Sequence, residues 1–482
     1  MISRVLAVSN RLPVTTTLID DTFEFQLSAG GLVSALSSLH GLDMIWFGWP
    51  GVEVPEHLQQ AFTTELVEKY KCAPVFLDDD LADAYYNGFS NSILWPLFHY
   101  HPGEMTFDDA LWDAYLLANR AFAKQIAKHY RPGDLIWVHD YHLMALPAMI
   151  REELANLGHT AGVMIAFFLH IPFPSSEIYR VLPVRREVLL GVLQSDLIGF
   201  HTYDYVRHFL NSVSSTLKLQ TTPVGVKFRD RFVNVGVFPI GIDPSRFSLA
   251  LKQDSIVSRV NELKAMFKDK KIMLGIDRLD YIKGLPHKFN AFNIFLTEHP
   301  EWIGKVIMVQ VAVPSRQAVE EYQNLRAVVN ELVGRINGKF GSVDYTPIHF
   351  MHRAVDFDEL VTLYCISDVC VVSSTRDGMN LVAYEYTMCQ EKNHGQLVLS
   401  EFAGAAQSLN GSLIVNPWNM EEMSQAFHRA LTLPEEKKRE NHELLYKQVT
   451  KFTTDFWVRS IIKEIERIQE DSTRCQMPPS SS

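Results

Sequence analysis

The sequence predicts an α/β protein with two domains, each built on a parallel β-sheet. The chain has 482 residues, more than a single hydrophobic core usually supports. Short apolar, β-branched runs alternate with longer helical patterns, an order typical of parallel sheets covered by helices on both faces. The pattern fills both halves of the chain. We therefore expect two Rossmann-like domains that face each other, with one site in the cleft between them.

Short apolar runs are predicted to be the strands of these sheets. Those in the first half are residues 5–10, 44–49, 73–77, 134–140, 162–170 and 196–201. Those in the second half are residues 271–279, 305–313, 347–353, 369–374, 396–400 and 412–417. Helical patterns between them include residues 108–130, 319–337 and 356–368.

Glycine and proline residues in the segment 239–246 mark the predicted boundary between the domains. We therefore expect a first domain at residues 1–242 and a second at residues 243–452, followed by a helix at residues 453–470. The polar, Pro- and Ser-rich segment 471–482 is expected to be a disordered tail.

The composition argues against several classes of protein. The chain has 45 Lys and Arg against 56 Asp and Glu, a net charge of −11, which disfavours nucleic-acid binding and polybasic membrane contact. It has no apolar run long enough to cross a bilayer, and its N-terminus does not resemble a secretory signal. The five cysteines are irregularly spaced, as in reduced cytosolic proteins. We expect a cytoplasmic protein.

Two basic motifs are candidate phosphate sites. Arg11 ends the first predicted strand, and Gly30–Gly31 precede a helical run, where a phosphate can approach the backbone. A plain turn is the alternative there. The strand at 271–279 has Arg278 near its end and Lys283 just after it, and two such cations suit a diphosphate whose charge grows as a sugar departs. The alternative is a solvated turn paired to neighbouring acids.

Polar residues also lie at or just after the ends of other predicted strands. In the segment 374–386, Gly378 permits a tight turn after the strand, and Asp377 and Glu385 suit recognition of paired hydroxyls on a sugar or ribose. Asp140 is a candidate hydroxyl acceptor or base, with helix capping as the alternative, and His170 is a candidate sugar contact. The pair His139 and His142 lacks a third ligand, so we expect no metal site.

Three further side chains are candidates for the same site. Tyr86 and Trp95 offer aromatic faces to a sugar ring, although such rings more often fill cores. Arg316 follows the strand at 305–313 and adds a phosphate clamp.

These motifs together resemble the trehalose-6-phosphate synthases. The resemblance rests on SNRLP, SAGGL, WFGWPG, YYNGFSNSILWPLFHY, WVHDYHL, FFLHIPFP, IDRLDYIKGL, VAVPSR, RINGKFG and RDGMNLVAYEY, which occur in the family order across residues 4–465. The stretch WPLFHYHPGEMTFDD is most similar to fungal and related eukaryotic members. The resemblance implies a GT-B fold, no cofactor, and a helix at about 453–470 that crosses back onto the first domain.

The resemblance also implies roles for individual residues. The donor, usually UDP-glucose, is expected in the second domain, with Arg278 and Lys283 on its diphosphate and Glu385 on its ribose. Asp377 and His170 are expected to contact the transferred glucose, and Gly31 lets its loop close over the donor. The expected acceptor, glucose 6-phosphate, contacts Arg11, Tyr86, Trp95, Asp140 and Arg316. The loop that holds the donor comprises Gly378, Met379, Asn380, Leu381, Val382 and Ala383.

The family retains the configuration of the transferred sugar, and no carboxylate here is obviously placed as a nucleophile. We therefore expect a front-face transfer that depends on positioning and electrostatics, with Arg278, Lys283, Asp140 and His170 as the catalytic set.

Three alternatives stay open: a glucosylglycerol-phosphate synthase, a pyridoxal-phosphate-dependent phosphorylase, and a non-catalytic sugar-phosphate sensor or regulatory subunit. The chain lacks a D-x-D-x-T phosphatase motif, so a trehalose-6-phosphate phosphatase or regulatory subunit is an expected partner, as is a second copy of the chain.

Overall fold

The computed structural model describes residues 2–19, 22–27, 43–315 and 320–476, which form two compact units. The first unit is Met1–Pro239 together with Asp455–Ser482, and the second is Ile240–Thr454. Each unit contains one large sheet, and the first also has a separate two-stranded hairpin.

The first unit contains a nine-stranded sheet in the order β5-β4-β1-β6-β7-β8-β11-β10-β9. Neighbouring strands are parallel from β5 across the sheet to β11, and β10 and β9 form an antiparallel edge. When β1, β4, β5, β6, β7 and β8 are numbered 1 to 6 along the chain, they lie side by side in the order 3-2-1-4-5-6, which is the order of a dinucleotide-binding sheet. The strands of this unit, with the hairpin β2–β3, are β1 Arg4–Arg11, β2 Val14–Ile19, β3 Thr22–Leu27, β4 Met44–Trp49, β5 Cys72–Pro74, β6 Asp134–His139, β7 Met164–Phe168, β8 Leu197–Phe200, β9 Thr221–Thr222, β10 Gly225–Phe228 and β11 Arg231–Val237.

The helices of the first unit connect these strands. They are α1 Gln59–Tyr70, α2 Asp79–Asp83, α3 Trp95–Phe98, α4 Asp109–His129, α5 Leu146–Asn156, α6 Ser176–Tyr179, α7 Arg185–Val192 and α8 Tyr203–Leu217, with a π-helix at Ala84–Leu94 between α2 and α3. A π-helix of this length is rare and tends to occur at functional sites. This one carries Tyr86 and leads directly into Trp95.

The second unit contains a six-stranded sheet in which every neighbouring pair is parallel. Its order, β14-β13-β12-β15-β16-β17, is again 3-2-1-4-5-6 in chain order. The strands are β12 Lys271–Arg278, β13 Val306–Val313, β14 Ile348–Met351, β15 Val369–Val372, β16 Gln396–Ser400 and β17 Leu413–Val415. The helices are α9 Pro244–Ala250, α10 Asp254–Met266, α11 Leu285–Glu298, α12 Glu320–Phe340, α13 Phe357–Ile366, α14 Val382–Met388, α15 Met420–Thr432 and α16 Glu435–Lys451.

Most of the parallel strands in both sheets are buried. In the second unit, Met273 and Met308 of the central strands pack with Phe289 and Phe292 of α11 and Phe427 of α15. This burial is typical of parallel sheets covered by helices.

The last helix, α17, runs over Thr454–Gln476. The helix predicted at 453–470 is therefore six residues longer at its C-terminal end, and residues 471–476 are helical, not part of a disordered tail. Residues 477–482 lie outside the described residues. The indole of Trp457, in the first turn of α17, packs on Trp137 of β6 with ring centroids 4.9 Å apart.

The sequence analysis did not predict the hairpin β2–β3, the strands β9 to β11 or the π-helix. Two predicted strands also end earlier than expected, which leaves Asp140 and His170 in the loops after β6 and β7. Among the described helices, none combines the length and apolar character needed to cross a membrane.

Candidate active site

The first group of candidate residues lies at the switch point of the second sheet. The central strands β12 and β15 are neighbours, and the chain leaves them towards opposite sides of the sheet. Ligands of open α/β sheets bind beyond the carboxyl ends of strands at such a point. Arg278 is the last residue of β12, and Asp377 follows β15.

Lys283 and Asp377 meet there. Lys283 Nζ donates to Asp377 Oδ2 at 2.6 Å, and both side chains are largely buried, with 12% and 14% of their surface exposed. The same carboxylate oxygen also accepts from Ser374 Oγ and Asn380 Nδ2, each at 3.1 Å. The structure therefore brings the Lys283 ammonium to a carboxylate and an amide that lie almost a hundred residues further along the sequence.

Hydrogen bonds join the loops that carry these groups. Ser373 Oγ donates to the carbonyl of Lys283 at 2.9 Å, and the backbone N–H of Thr375 donates to the carbonyl of Ile282 at 2.7 Å. Gly284 lies between the loop and α11 with φ of 65°, and a Cβ there would lie 2.1 Å from the carbonyl oxygen of Ser373. Only glycine permits both this backbone conformation and this close approach.

Arg278 differs from Lys283 in its surroundings. Its side chain is 42% exposed, and Nη2 donates to the buried carboxylate of Asp280 at 3.4 Å. For Arg278 the structure therefore shows the alternative given in the sequence analysis, in which the cation pairs with an acid of its own turn, Asp280. Asp277 instead accepts from the fully buried Lys288 Nζ at 2.6 Å, a pair beneath the loop.

The segment after Asp377 forms a tight loop into α14. We expected Gly378 to provide the turn, but the left-handed residue is Asn380, with φ of 76°. Its side-chain oxygen accepts from the N–H of Ala383 at 3.2 Å, and the N–H of Ala405 binds the carbonyl of Met379. An asparagine adopts this conformation more easily than most residues because its short polar side chain bonds locally. The rest of the loop is Gly378, Leu381 and Val382.

Glu385 lies on α14 and receives a hydrogen bond from α13. Tyr364 Oη donates to Glu385 Oε2 at 2.7 Å. Burial raises the pKa of Glu385 to about 7, and the Tyr364 hydrogen bond and Arg246 oppose this shift. Its carboxyl group therefore changes protonation near neutral pH. The sequence analysis missed Tyr364, which local patterns do not connect to Glu385.

The second group of candidates lies at the switch point of the first sheet. Strands β1 and β6 are neighbours, Arg11 is the last residue of β1, and Asp140 follows β6 directly. Arg11 lies over the ring of Trp49 at 4.8 Å and that of Tyr86 at 5.6 Å, so the exposed guanidinium rests on an aromatic surface.

Aromatic contacts continue from Tyr86 towards Trp95. The ring of Tyr86 stacks on that of His142, with the ring centroids 5.6 Å apart and 14° between the planes. The ring centroids of His142 and Tyr141 are 3.9 Å apart. Tyr141 in turn lies 5.6 Å from Trp95, whose side chain is buried. The stack of His142 on Tyr86 was not anticipated, since the sequence analysis weighed this histidine only as a metal ligand.

Asp140 has an unusual backbone conformation, with φ of 73° and ψ of 171°. Its N–H donates to the carbonyl of Phe168 at 2.8 Å, and its Oδ1 accepts from the N–H of His170 at 3.3 Å. For a residue other than glycine this conformation costs ~1–3 kcal/mol and is typical of functional sites. The two bonds hold Asp140 beside the loop that carries His170.

His170 forms a pair with His139, the last residue of β6. His139 Nδ1 and His170 Nε2 lie 3.1 Å apart, so one nitrogen donates and the other accepts. Burial lowers the pKa of His139 to about 3, and burial, His139 and His201 lower the pKa of His170 well below its ordinary value. Both rings are therefore neutral at physiological pH.

Helix α17 completes the surroundings of this pair. The indole of Trp457 lies 5.9 Å from the ring of His170 and 6.2 Å from that of His139. The sequence analysis missed Trp457 because no motif connects it to the strands of the first unit. Two expected site residues, Gly31 and Arg316, lie outside the described residues.

Among the described residues, one group has three metal-ligating side chains close together: His299, Glu301 and His428. His299 and Glu301 precede β13, at the end of the sheet where its strands begin, and His428 lies on α15, whereas Arg278 is at the end where β12 finishes. The two imidazole rings are parallel, 3.9 Å apart with 5° between the planes, which is the arrangement of a stacked pair. His139 and His142 do not belong to any such group in the described part of the chain.

With this geometry in place, comparison with known proteins identifies the family. The sequence model of glycosyltransferase family 20 matches residues 3–467. The chain belongs to glycosyltransferase family 20. A UDP-forming α,α-trehalose-phosphate synthase from Yarrowia lipolytica is 61% identical to this family 20 member, with 96% of this chain and 99% of the relative covered. One from Emericella nidulans is 60% identical, with 98% and 93% covered.

Solved structures of family 20 enzymes match as well. A UDP-forming α,α-trehalose-phosphate synthase from Burkholderia xenovorans in complex with glucose-6-phosphate has a TM-score of 0.85 and 33% identity, with 96% of this chain and 100% of that chain covered. The E. coli trehalose-6-phosphate protein bound with UDP-2-fluoro glucose has a TM-score of 0.85 and 33% identity, with 96% and 99% covered. These similarities confirm the expected GT-B fold.

One structural match has a different activity in its name. The N-terminal domain of a Candida albicans trehalose-6-phosphate phosphatase has a TM-score of 0.88 and 30% identity, with 97% of both chains covered. The family 20 fold therefore also occurs in a domain of a phosphatase.

Proposed function

We propose that this chain transfers glucose from UDP-glucose to glucose 6-phosphate, giving α,α-trehalose 6-phosphate and UDP with retention of configuration. This is the first step of trehalose biosynthesis. The observation that carries the proposal is the contact of Lys283 with Asp377 at the switch point of the second sheet. Relatives about 60% identical to this chain are UDP-forming synthases, which supports the same reaction here.

We assign the donor to the second unit. The exposed guanidinium of Arg278 and the ammonium of Lys283 bind the diphosphate, and the carboxylate of Asp377 accepts from hydroxyls of the glucose. The backbone from Gly378 to Ala383 lies against the diphosphate and the sugar. Glu385 binds the ribose hydroxyls, and Tyr364 orients it. This assignment is supported by the hydrogen bonds that join the two loops.

We assign the acceptor mainly to the first unit, with Arg316 contributed by the second. Arg11 and Arg316 bind the phosphate of glucose 6-phosphate, Tyr86 and Trp95 provide the aromatic wall, and Asp140 accepts from a sugar hydroxyl. The aromatic support beneath the Arg11 guanidinium favours this role because it holds a planar phosphate-binding group in place. Gly31 is proposed to let its loop close over the donor.

Positive charge and positioning account for the chemistry. As the glycosidic bond to the diphosphate breaks, negative charge grows on the departing β-phosphate oxygen, and Arg278 and Lys283 stabilise it. That oxygen takes the proton from the acceptor hydroxyl on the same face, which retains the configuration. His170 is neutral and so acts as a hydrogen-bonding partner of the transferred sugar, not as a general acid. Its Nε2 faces His139, which leaves Nδ1 for the sugar.

The test is direct. Purified protein is incubated with UDP-glucose and glucose 6-phosphate in the presence of a chelator, and mass spectrometry follows UDP release and a phosphorylated disaccharide. We expect both products in equal amounts. Binding of the donor without binding of glucose 6-phosphate contradicts the acceptor assignment, and glycerol 3-phosphate is then the next acceptor to try. Absence of pyridoxal phosphate absorbance in the purified protein excludes a phosphorylase.

A second candidate function is a non-catalytic role in binding sugar phosphates. It is favoured by the similarity to the N-terminal domain of a phosphatase. Binding of both ligands with no product distinguishes this role from the synthase.

We further propose that the chain works in the cytoplasm and associates with a trehalose-6-phosphate phosphatase, a regulatory subunit or a second copy of itself. The irregular cysteine spacing supports the compartment. The partner proposal rests on the phosphorylated product, which a phosphatase consumes. Affinity purification from cell extract and light scattering of the pure chain test the partner and the oligomer.

A further inference from the structure

A cavity of about 470 Å³ in the second unit lies outside the proposed donor site and contains two cysteines. Cys365, at the end of α13, and Cys389, directly after α14, both line it. Its apolar wall comes from α10, and its charged groups are Lys252, Lys264, Lys392 and Glu391. Three cations against one anion make the cavity electropositive, a setting that favours a thiolate.

The two thiols line the same cavity. The neighbouring Cys389 thiol, with Lys264 and Lys392, lowers the pKa of Cys365 against the opposing effect of burial. The neighbouring Cys365 and burial raise the pKa of Cys389. Cys365 is therefore the more nucleophilic partner and Cys389 the partner that keeps its proton.

Two other cysteines have different surroundings. Cys72 in β5 and Cys370 in β15 are completely buried, and burial raises the pKa of each to about 12. Buried thiols of this kind are chemically inert. They provide matched controls within the same chain.

The cysteine pair is connected to the proposed donor site through two helices. Glu385 and Cys389 are four residues apart, and Tyr364 and Cys365 are adjacent. The Tyr364–Glu385 hydrogen bond joins the same two segments of chain that bring Cys365 and Cys389 to one cavity, about one helical turn away. A covalent bond between the sulfurs would fix the spacing of these segments, one of which carries Glu385.

We propose that Cys365 and Cys389 form a redox-active dithiol that a peroxide oxidises to a disulfide, and that this bond weakens binding of the nucleotide sugar. The Cys365 thiolate attacks one peroxide oxygen, an S–O bond forms, the O–O bond breaks, and the leaving hydroxide takes a proton to become water. The Cys389 sulfur then attacks the sulfenic sulfur of Cys365. An S–S bond forms, and the hydroxide leaves with the Cys389 proton as a second water. The two thiols supply the two electrons that reduce the peroxide.

Disulfide formation is tested without reference to activity. The reduced full-length chain is treated with hydrogen peroxide, remaining thiols are blocked with N-ethylmaleimide, and peptides are mapped by mass spectrometry. We expect a linked Cys365–Cys389 peptide, reversed by dithiothreitol. Cys365→Ser and Cys389→Ser each abolish it, and Cys72→Ser does not. Lys392→Gln leaves both thiols in place and slows the reaction. Peroxide treatment that leaves Cys365 and Cys389 unlinked overturns the proposal.

The effect on the donor rests on the proposed function and has its own measurement. The KM for UDP-glucose is expected to rise several-fold in the disulfide form, while the KM for glucose 6-phosphate stays unchanged. The Cys365→Ser protein shows no such change after peroxide. An unchanged donor KM in fully linked protein overturns the connection to the donor site. If the reduced protein makes no trehalose 6-phosphate, the proposed function fails and the peptide map still decides the disulfide.

Discussion

At the scale of single residues, the contact of Lys283 with Asp377 gives the sharpest prediction. Lys283→Ala should lower kcat by ~10²–10³ because one charge that stabilises the departing diphosphate is lost. Lys271, the first residue of β12, provides the control: its ammonium pairs with Asp368 at 2.7 Å, and its side chain is 46% exposed. Steady-state kinetics of Lys283→Ala and Lys271→Ala make the comparison, and near-wild-type kcat in Lys283→Ala contradicts the assignment.

Glu385 provides a prediction about pH. Because burial raises its pKa to about 7, the carboxyl group is protonated below that pH and then accepts fewer hydrogen bonds from a ribose. The KM for UDP-glucose should therefore rise about tenfold between pH 8 and pH 6, the expected change for one proton at this pKa. The kcat at saturating donor should stay nearly flat, since His139 and His170 are neutral throughout this range.

Glu385→Gln is the control for that pH profile. The amide does not titrate, so its donor KM should be higher than that of the wild type at pH 8 and independent of pH. A pH-dependent KM that persists in the Gln variant assigns the titration to another group.

Residue-level reasoning placed candidate residues at the ends of strands but did not predict their hydrogen-bond partners. Arg278, Lys283, Asp140 and Asp377 could be predicted because the carboxyl ends of strands are visible in the sequence. The bond of Tyr364 to Glu385 could not, since packing between two helices decides it. The Asn380 backbone is a further example: Gly378 was the obvious turn residue, yet local hydrogen bonds favour the left-handed conformation two residues later.

At the scale of elements, the loop between β12 and α11 depends on Gly284. Gly284→Ala should destabilise the protein by ~1–3 kcal/mol and raise the donor KM, because a Cβ conflicts with the carbonyl of Ser373 and displaces Lys283. Gly304→Ala is the control, since Gly304 also has a positive φ, 81°, but nothing lies within 4 Å of its Cβ position.

Urea unfolding and donor kinetics measure both glycine variants. Gly304→Ala should lose only the stability that the positive φ costs, with an unchanged donor KM. Equal effects of the two substitutions on KM refute the role of the close approach.

Most elements could be predicted because the strands of a parallel sheet are continuous apolar runs. The elements that were missed have weaker signals. The strands β9 to β11 form an edge with short antiparallel partners, so their apolar runs are brief or interrupted. The π-helix at Ala84–Leu94 has no distinct hydrophobic period of its own in the sequence, and local packing selects it over an α-helix.

At the scale of the whole molecule, α17 is part of the first unit although it follows the second in sequence. Trp457→Ala should destabilise the protein by ~3–5 kcal/mol, because removal of the buried indole leaves a cavity beside Trp137, Phe168 and the pair His139 and His170. Phe456→Ala is the matched control, since the neighbouring ring is 43% exposed. Calorimetry compares the two variants, and equal losses contradict the importance of the Trp457 contacts.

The return of α17 also has a consequence for how the protein is made. A ribosome releases Trp457 only after it has synthesised the whole of the second unit, and until then the end of β6 that carries His139 lacks its indole cover. The first unit therefore cannot reach its final packing during the early part of translation, although its strands emerge first. Nascent chains stalled before residue 454 should hold a first unit that a protease cleaves readily, and its protection should appear only when α17 has left the exit tunnel.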